Sequence, residues 1–153
     1  SAIGAVTRLL DMGLEPYLIA SALTAVMAQR LVRRVCEKCK EELILAPEIH
    51  DQIAGIIQKT GVRFAASGVT RHFKGKGCEA CRDSGYAGRT LLFELVQLTP
   101  KLRQFILQKV PLSELQKVAA SEGIETMLVD GLRKVQIGLT TLDEVLRVVA
   151  VDE

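Results

Sequence analysis

The chain has 153 residues, 48% apolar and only 4% aromatic with no Trp, so it can build one domain or two small ones packed mainly by Leu, Ile, Val and Ala. A net charge of +2 argues for neither nucleic acid nor a membrane surface as a partner. No apolar run approaches the roughly 20 residues of a bilayer span, and the first residues carry no secretory signal pattern.

Residues 1–10 read as a helix with Ile3, Val6 and Leu10 on one face, and the chain enters it with no structured lead. Gly13 ends it, and Glu15-Pro16 is a break because the residue before proline avoids the helical region. Residues 17–35 are predicted to form a second helix, apolar round most of its circumference and therefore buried on several sides. Arg30, Arg33 and Arg34 would cluster at its C-terminal end, either complementing the dipole or reaching an anion.

Cys36 and Cys39 follow at once. Ala46-Pro47 opens a short amphipathic helix with Ile49, Ile53, Ile56 and Ile57 on one side. Residues 61–77 read as an irregular loop rich in Gly and in basic residues (Arg71, His72, Lys74, Lys76). After Cys78 and Cys81 comes a turn with two glycines, residues 83–89, then a β-rich run over 90–96. Thr99 before Pro100 is an N-cap ahead of a first-turn proline, and it opens a helix to about Lys109. Further helices are expected over 112–121, 125–137 and from 141, where Thr141-Leu142-Asp143-Glu144 is a capping box. The simplest reading of Glu125, Asp130, Asp143 and Glu144 is solvated faces and caps.

The chemistry concentrates in the cysteines. All four lie in two C-x-x-C pairs, Cys36/Cys39 and Cys78/Cys81. A two-residue gap lets both thiolates of a pair turn onto one ion, and two pairs complete a tetrahedral site for Zn2+. The competing readings are a redox dithiol or a disulfide. A redox C-x-x-C sits at a helix N-terminus, whereas Cys36 would follow a helix C-terminus. A closed four-thiolate site has no open coordination position, so its zinc would be structural and not catalytic. His50 and His72 have no metal-ligand partner at helical spacing and read as surface residues. No Walker A, H-E-x-x-H or Ser-His-Asp pattern is present, and Gly75-Lys76-Gly77 is not a P-loop.

A family resemblance is carried by several motifs in order. They are Ala28-Gln29-Arg30-Leu31-Val32-Arg33 before the first cysteine pair, Gly77 before the second, then Gly85-Tyr86-x-Gly88-Arg89-Thr90 and Glu94-Leu95. The tails Asp130-Gly131-Leu132-Arg133-Lys134-Val135 and Gly138-Leu139-Thr140-Thr141-Leu142-Asp143-Glu144-Val145-Leu146-Arg147-Val148 complete the series. In these motifs the chain resembles the C-terminal region of the GspE/PilB ATPases, the cytoplasmic motors of type II secretion and type IV pilus assembly. Leu91 and Leu92 stand where that family usually has Gly-Ile.

The resemblance implies a mainly α fold with a small β element: the C-terminal part of a RecA-like α/β secretion ATPase, with a tetracysteine zinc subdomain and a C-terminal helical bundle. Residues 1–34 would be the last helices of the ATPase core, 35–97 the zinc subdomain and 98–153 the helical subdomain. The chain would then be a fragment, catalytically inactive by itself. ATP and Mg2+ would belong to the full-length parent, a hexamer peripheral to the bacterial inner membrane. Its partners would be other copies of itself and an inner-membrane platform protein, with no nucleic acid. Arg89 would lie near the base of a bound nucleotide, or else brace the turn through carbonyls or Glu94. A reading from another class is a free-standing zinc-binding interaction module that binds nucleic acid through Arg71, Lys74 and Lys76.

Overall fold

A computed structural model describes residues 1–44, 46–60 and 71–149, with only the backbone described for residues 52, 56, 57, 59 and 60. The elements run α1 (Ala2–Asp11), α2 (Pro16–Ala22), β1 (Ala25–Val35), β2 (Lys40–Ile44), α3 (Pro47–Thr60), β3 (Arg71–Gly75), β4 (Tyr86–Gln97), α4 (Pro100–Leu107), α5 (Leu112–Ser121), α6 (Met127–Gln136) and α7 (Leu142–Val148). The fold is mixed α/β, with more strand than a mainly α reading allows.

Two sequence expectations are corrected. The helix expected over residues 17–35 ends at Ala22, and residues 25–35 form strand β1, paired with β4. Leu98 N–H donates to the Thr24 carbonyl at one end, and Cys36 N–H to the Gly85 carbonyl at the other, so the two strands run antiparallel. Ala, Leu, Met, Gln and Arg are good helix formers, but a cross-strand ladder outweighs propensities of a few tenths of a kcal/mol per residue. The second correction concerns the basic tract. Arg71, His72 and Lys74 lie on strand β3, which pairs antiparallel with β2 in the register Lys40↔Gly75 to Ile44↔Arg71. Residues 61–70 of the expected loop lie outside the described residues, as do the side chains of Ile56 and Ile57.

The chain divides into two compact units, each discontinuous in sequence: Ser1–Ala28 with Phe93–Thr126, and Gln29–Leu92 with Met127–Glu153. The first is organised by one apolar cluster. Ala2, Ile3 and Val6 of α1 and Ile19 and Ala20 of α2 meet Val96, Leu98, Leu102 and Ile106 and Leu115, Val118 and Ala119 of α5. The i, i+4 spacing of Leu102 and Ile106 puts both on one face of α4, and both are fully buried. Thr99 caps α4 as expected, its Oγ1 accepting Leu102 N–H at 3.2 Å. At the start of α1, Glu94 Oε1 accepts the Ala2 N–H at 2.7 Å, so a buried carboxylate meets a helix N-terminus where the dipole favours it.

In the second unit, α6 packs on β3 and on α7. A Cβ on Gly131 would stand 2.5 Å from Val145 Cγ1, so glycine is what lets α6 and α7 approach this closely. Ile53 of α3 is buried and shares an apolar pocket with Leu128, Leu132, Leu142 and Leu146. Among the described residues, no helix is long and apolar enough to cross a membrane.

Candidate functional site

Cys36 follows directly on strand β1 and Cys39 precedes β2, so the first pair occupies the corner between two strands. The second pair brackets a single 3-10 turn, Glu79–Cys81, which Cys81 N–H closes onto the Cys78 carbonyl at 3.1 Å. Two backbone contacts bring the pairs together: Cys36 N–H donates to Gly85 O at 3.0 Å, and Lys76 N–H to Cys39 O at 3.0 Å. The chain must turn sharply to achieve this. Arg82 and Asp83 have φ of 53° and 59°, in the left-handed region. The backbones of Gly75 and Gly85 approach so closely that a Cβ on Gly85 would stand 2.5 Å from the Gly75 carbonyl oxygen.

The four sulfurs all lie within 4.8 Å of one another. The closest cross-pair separations are 3.9 Å for Cys36–Cys78 and 3.8 Å for Cys39–Cys81, and Cys78–Cys81 is 3.7 Å. A tetrahedron of thiolates around zinc, with Zn–S of about 2.3 Å, has edges of about 3.8 Å. These distances are far beyond the ~2.05 Å of a disulfide bond, and all four cysteines are free. The donor set therefore fits a four-coordinate zinc ion and leaves no position for substrate. Held there, zinc would supply a cross-link between the β1–β2 corner and the 3-10 turn.

The thiols are not equivalent without a metal. Burial pushes Cys39 up to about 12, against a weaker opposing hydrogen bond from Gly77. Burial also acts to raise Cys81, but hydrogen bonds from the Cys78 and Gly85 backbones outweigh it and bring that thiol down to about 6. Backbone N–H groups aimed at sulfur stabilise thiolate, the form a metal binds. Cys36 follows a strand and not the expected helix C-terminus, while Cys78 is the N-cap of the 3-10 turn. His50 is half-exposed beside Asp51, and His72 is half-buried on β3, so neither joins the cysteine cluster.

A second polar cluster was not legible in the sequence. Glu144, expected on a solvated face, is 1% exposed. Its Oε2 accepts the Arg33 backbone N–H at 2.9 Å and Arg147 Nη2 at 2.9 Å, while Oε1 accepts Arg33 Nη2 at 2.8 Å and Arg147 Nε at 3.1 Å. Burial alone would raise this carboxyl, but the hydrogen bonds from Arg147 and Arg33 prevail and hold it at about 2. Thr141 Oγ1 accepts the Glu144 N–H, so the N-cap half of the expected capping box forms while the carboxylate turns to the arginines. The Arg33 guanidinium lies 4.1 Å from the Tyr86 ring centroid, and Thr140 Oγ1 donates to Arg33 O at 2.8 Å.

Arg89 lies on β4, exposed and without a hydrogen bond or ion pair to any described residue. Leu91, where the resembled family has glycine, points outward at 44% exposed, while Leu92 is fully buried, so the larger side chain at 91 meets no packing conflict. Of the basic residues proposed for nucleic acid, Arg71 pairs with Glu42 at 3.3 Å and Lys76 pairs with Glu41. That neutralises two of the three.

A family model described as "Type II/IV secretion system protein" matches residues 1–147. The Type IV pilus assembly ATPase PilB of Thermus thermophilus is 41% identical over 142 residues, covering 93% of this chain and 15% of that protein. Type II secretion system protein E of Pseudomonas aeruginosa is 41% identical over 148 residues, 97% of this chain and 28% of that protein. The Type II secretion system ATPase E of Vibrio cholerae is 37% identical over 150 residues, 97% of this chain and 27% of that protein. The chain thus spans less than a third of the length of each of these relatives.

Proposed function

The chain belongs to the type II/IV secretion system protein family, and from that premise we propose that it is the zinc-stapled C-terminal part of a secretion or pilus-assembly ATPase. The observation that carries this reading is the cysteine quartet. Its four sulfurs have the edge lengths of a zinc tetrahedron, inside a chain whose match to named secretion and pilus ATPases is nearly end to end. In this reading residues 1–34 close the ATPase core, 35–97 are the zinc-binding segment and 98–153 the C-terminal helices. The chain has no Walker A motif, so ATP and Mg2+ would bind to parts of the parent that precede it. The parent would act as a hexamer at the cytoplasmic side of the inner membrane, against a platform protein.

Arg89 is the residue we assign to the nucleotide, its guanidinium facing the base. The support is its place in the Gly-Tyr-x-Gly-Arg motif and its lack of a partner among the described residues. Steady-state ATP hydrolysis by the full-length protein tests both levels. Hydrolysis should be present and should depend on a Walker A upstream of Ser1, and Arg89→Ala should weaken nucleotide affinity. A coding sequence with no Walker A upstream sinks the ATPase reading. Unchanged kinetics in Arg89→Ala sinks the assignment of that residue alone.

A further inference from the structure

Arg33, Arg89 and Arg147 line one open depression of about 440 Å³, together with Leu31 and Val32. Three guanidiniums around so small a space repel one another unless something negative sits among them. Glu144 supplies one negative charge, bonded to Arg33 and Arg147, and among the described residues that line the depression this leaves an excess of two positive charges. Both arginines remain half-exposed at 51% and 57%, so each keeps N–H groups free on the side away from the carboxylate. The orientation of these two is also fixed. Arg147 makes two bonds to Glu144, and Arg33 is held by Glu144 on one side and by the Tyr86 ring on the other. Donors locked in this way lose little entropy when an anion arrives. Arg89 stands on the same wall and bonds no described residue, and Leu31 and Val32 give that wall an apolar stretch that weakens solvent screening.

We propose that this depression is a binding site for a phosphate group, with Arg33 and Arg147 as pre-oriented donors and Arg89 as the free donor that closes on it. An excess of two positive charges matches a phosphate dianion better than a single carboxylate, and guanidinium forks suit tetrahedral oxyanions. The phosphate can come from a nucleotide or from an inorganic polyphosphate. The base assignment and this phosphate site compete for the one Arg89 guanidinium, so a base without phosphate and a phosphate without base separate them.

The test is calorimetric titration of the zinc-loaded chain with pyrophosphate, adenosine and a glutamate-rich peptide, at low and high salt. Pyrophosphate should saturate one site per chain and weaken with salt. Arg89→Gln, which removes a side chain that bonds nothing described, should weaken it roughly tenfold. Arg147→Lys, which keeps the charge but loses the fork, should weaken it as well. Failure of pyrophosphate to saturate, or equal affinity in both variants, overturns the site. Saturation by adenosine alone leaves the base assignment standing and removes this proposal. Saturation by the peptide alone assigns the depression to a protein partner and also removes it.

Discussion

The two units of this chain solve the same problem by different means. The unit of Ser1–Ala28 with Phe93–Thr126 is held by one continuous cluster of aliphatic side chains, with caps and a single buried carboxylate at its edges. The unit of Gln29–Leu92 with Met127–Glu153 also has apolar residues, but its distant segments are joined by polar devices. These are four thiols 42 residues apart in cross-pairs, a carboxylate bonded to a backbone 111 residues away, and two glycines in backbone contact. An apolar cluster tolerates gradual loss, because its stabilisation is spread over many side chains of a few kcal/mol each. A staple is all-or-none. The difference makes the two units separable by experiment.

The largest effect should come from removing the metal. Structural zinc contributes on the order of 10 kcal/mol to folding where the site does not exist in the unfolded chain. A chelator, or Cys36→Ser, should therefore release the β1–β2 corner and the 3-10 turn, and hydrogen exchange should rise across residues 36–44 and 71–86. The caps and helices of the other unit should stay protected. Elemental analysis should give about one zinc per chain beforehand. Full protection and full zinc in Cys36→Ser would remove the staple from the account.

The converse experiment is smaller. Leu102 is fully buried in the aliphatic cluster, so Leu102→Ala should cost about 3 kcal/mol in chemical denaturation through lost contacts and the cavity left behind. Zinc content should not change. A variant that loses zinc along with stability would mean that the two units unfold as one, and the contrast drawn above would fail.

What was legible in the sequence follows the range over which each signal acts. Each C-x-x-C pair, the Thr99 cap with Pro100 and the helices after residue 100 depend on neighbours within a few positions, and the sequence places them within a few residues of where they stand. The strand β1 was read as helix because Ala25 to Arg34 contain many helix formers, and its pairing with β4 is not a local property. Strand β3 hid in a Gly-rich basic tract whose Phe73 is covered by Lys40 at 4.7 Å. Glu144 looked like a surface acid because its helix begins with a proper cap. Only the distant Arg33 reveals why it is buried. Charge burial of this kind leaves no spacing pattern to find.

Glu144 also offers the sharpest test of the polar unit, because its contribution carries a pH signature. Its carboxyl sits at about 2 against an ordinary value of 4.5, so the folded state binds its proton less readily than the unfolded chain does. The stabilisation is therefore complete above about pH 4.5 and is lost as pH falls toward 2. Its size should be about 2 kcal/mol, below the full value of the shift because Arg33 and Arg147 are half-exposed and screened. Glu144→Gln keeps the shape and removes the charge. Denaturation of both proteins from pH 7 to pH 2.5 should show a difference of about 2 kcal/mol at neutral pH that shrinks steadily below pH 4.5. Acid would also protonate the cysteines and release the proposed zinc, but in both proteins alike, so the difference isolates the carboxylate. A difference that stays constant with pH would mean that Glu144 acts through packing. The proposed zinc would then be the main polar link of the second unit.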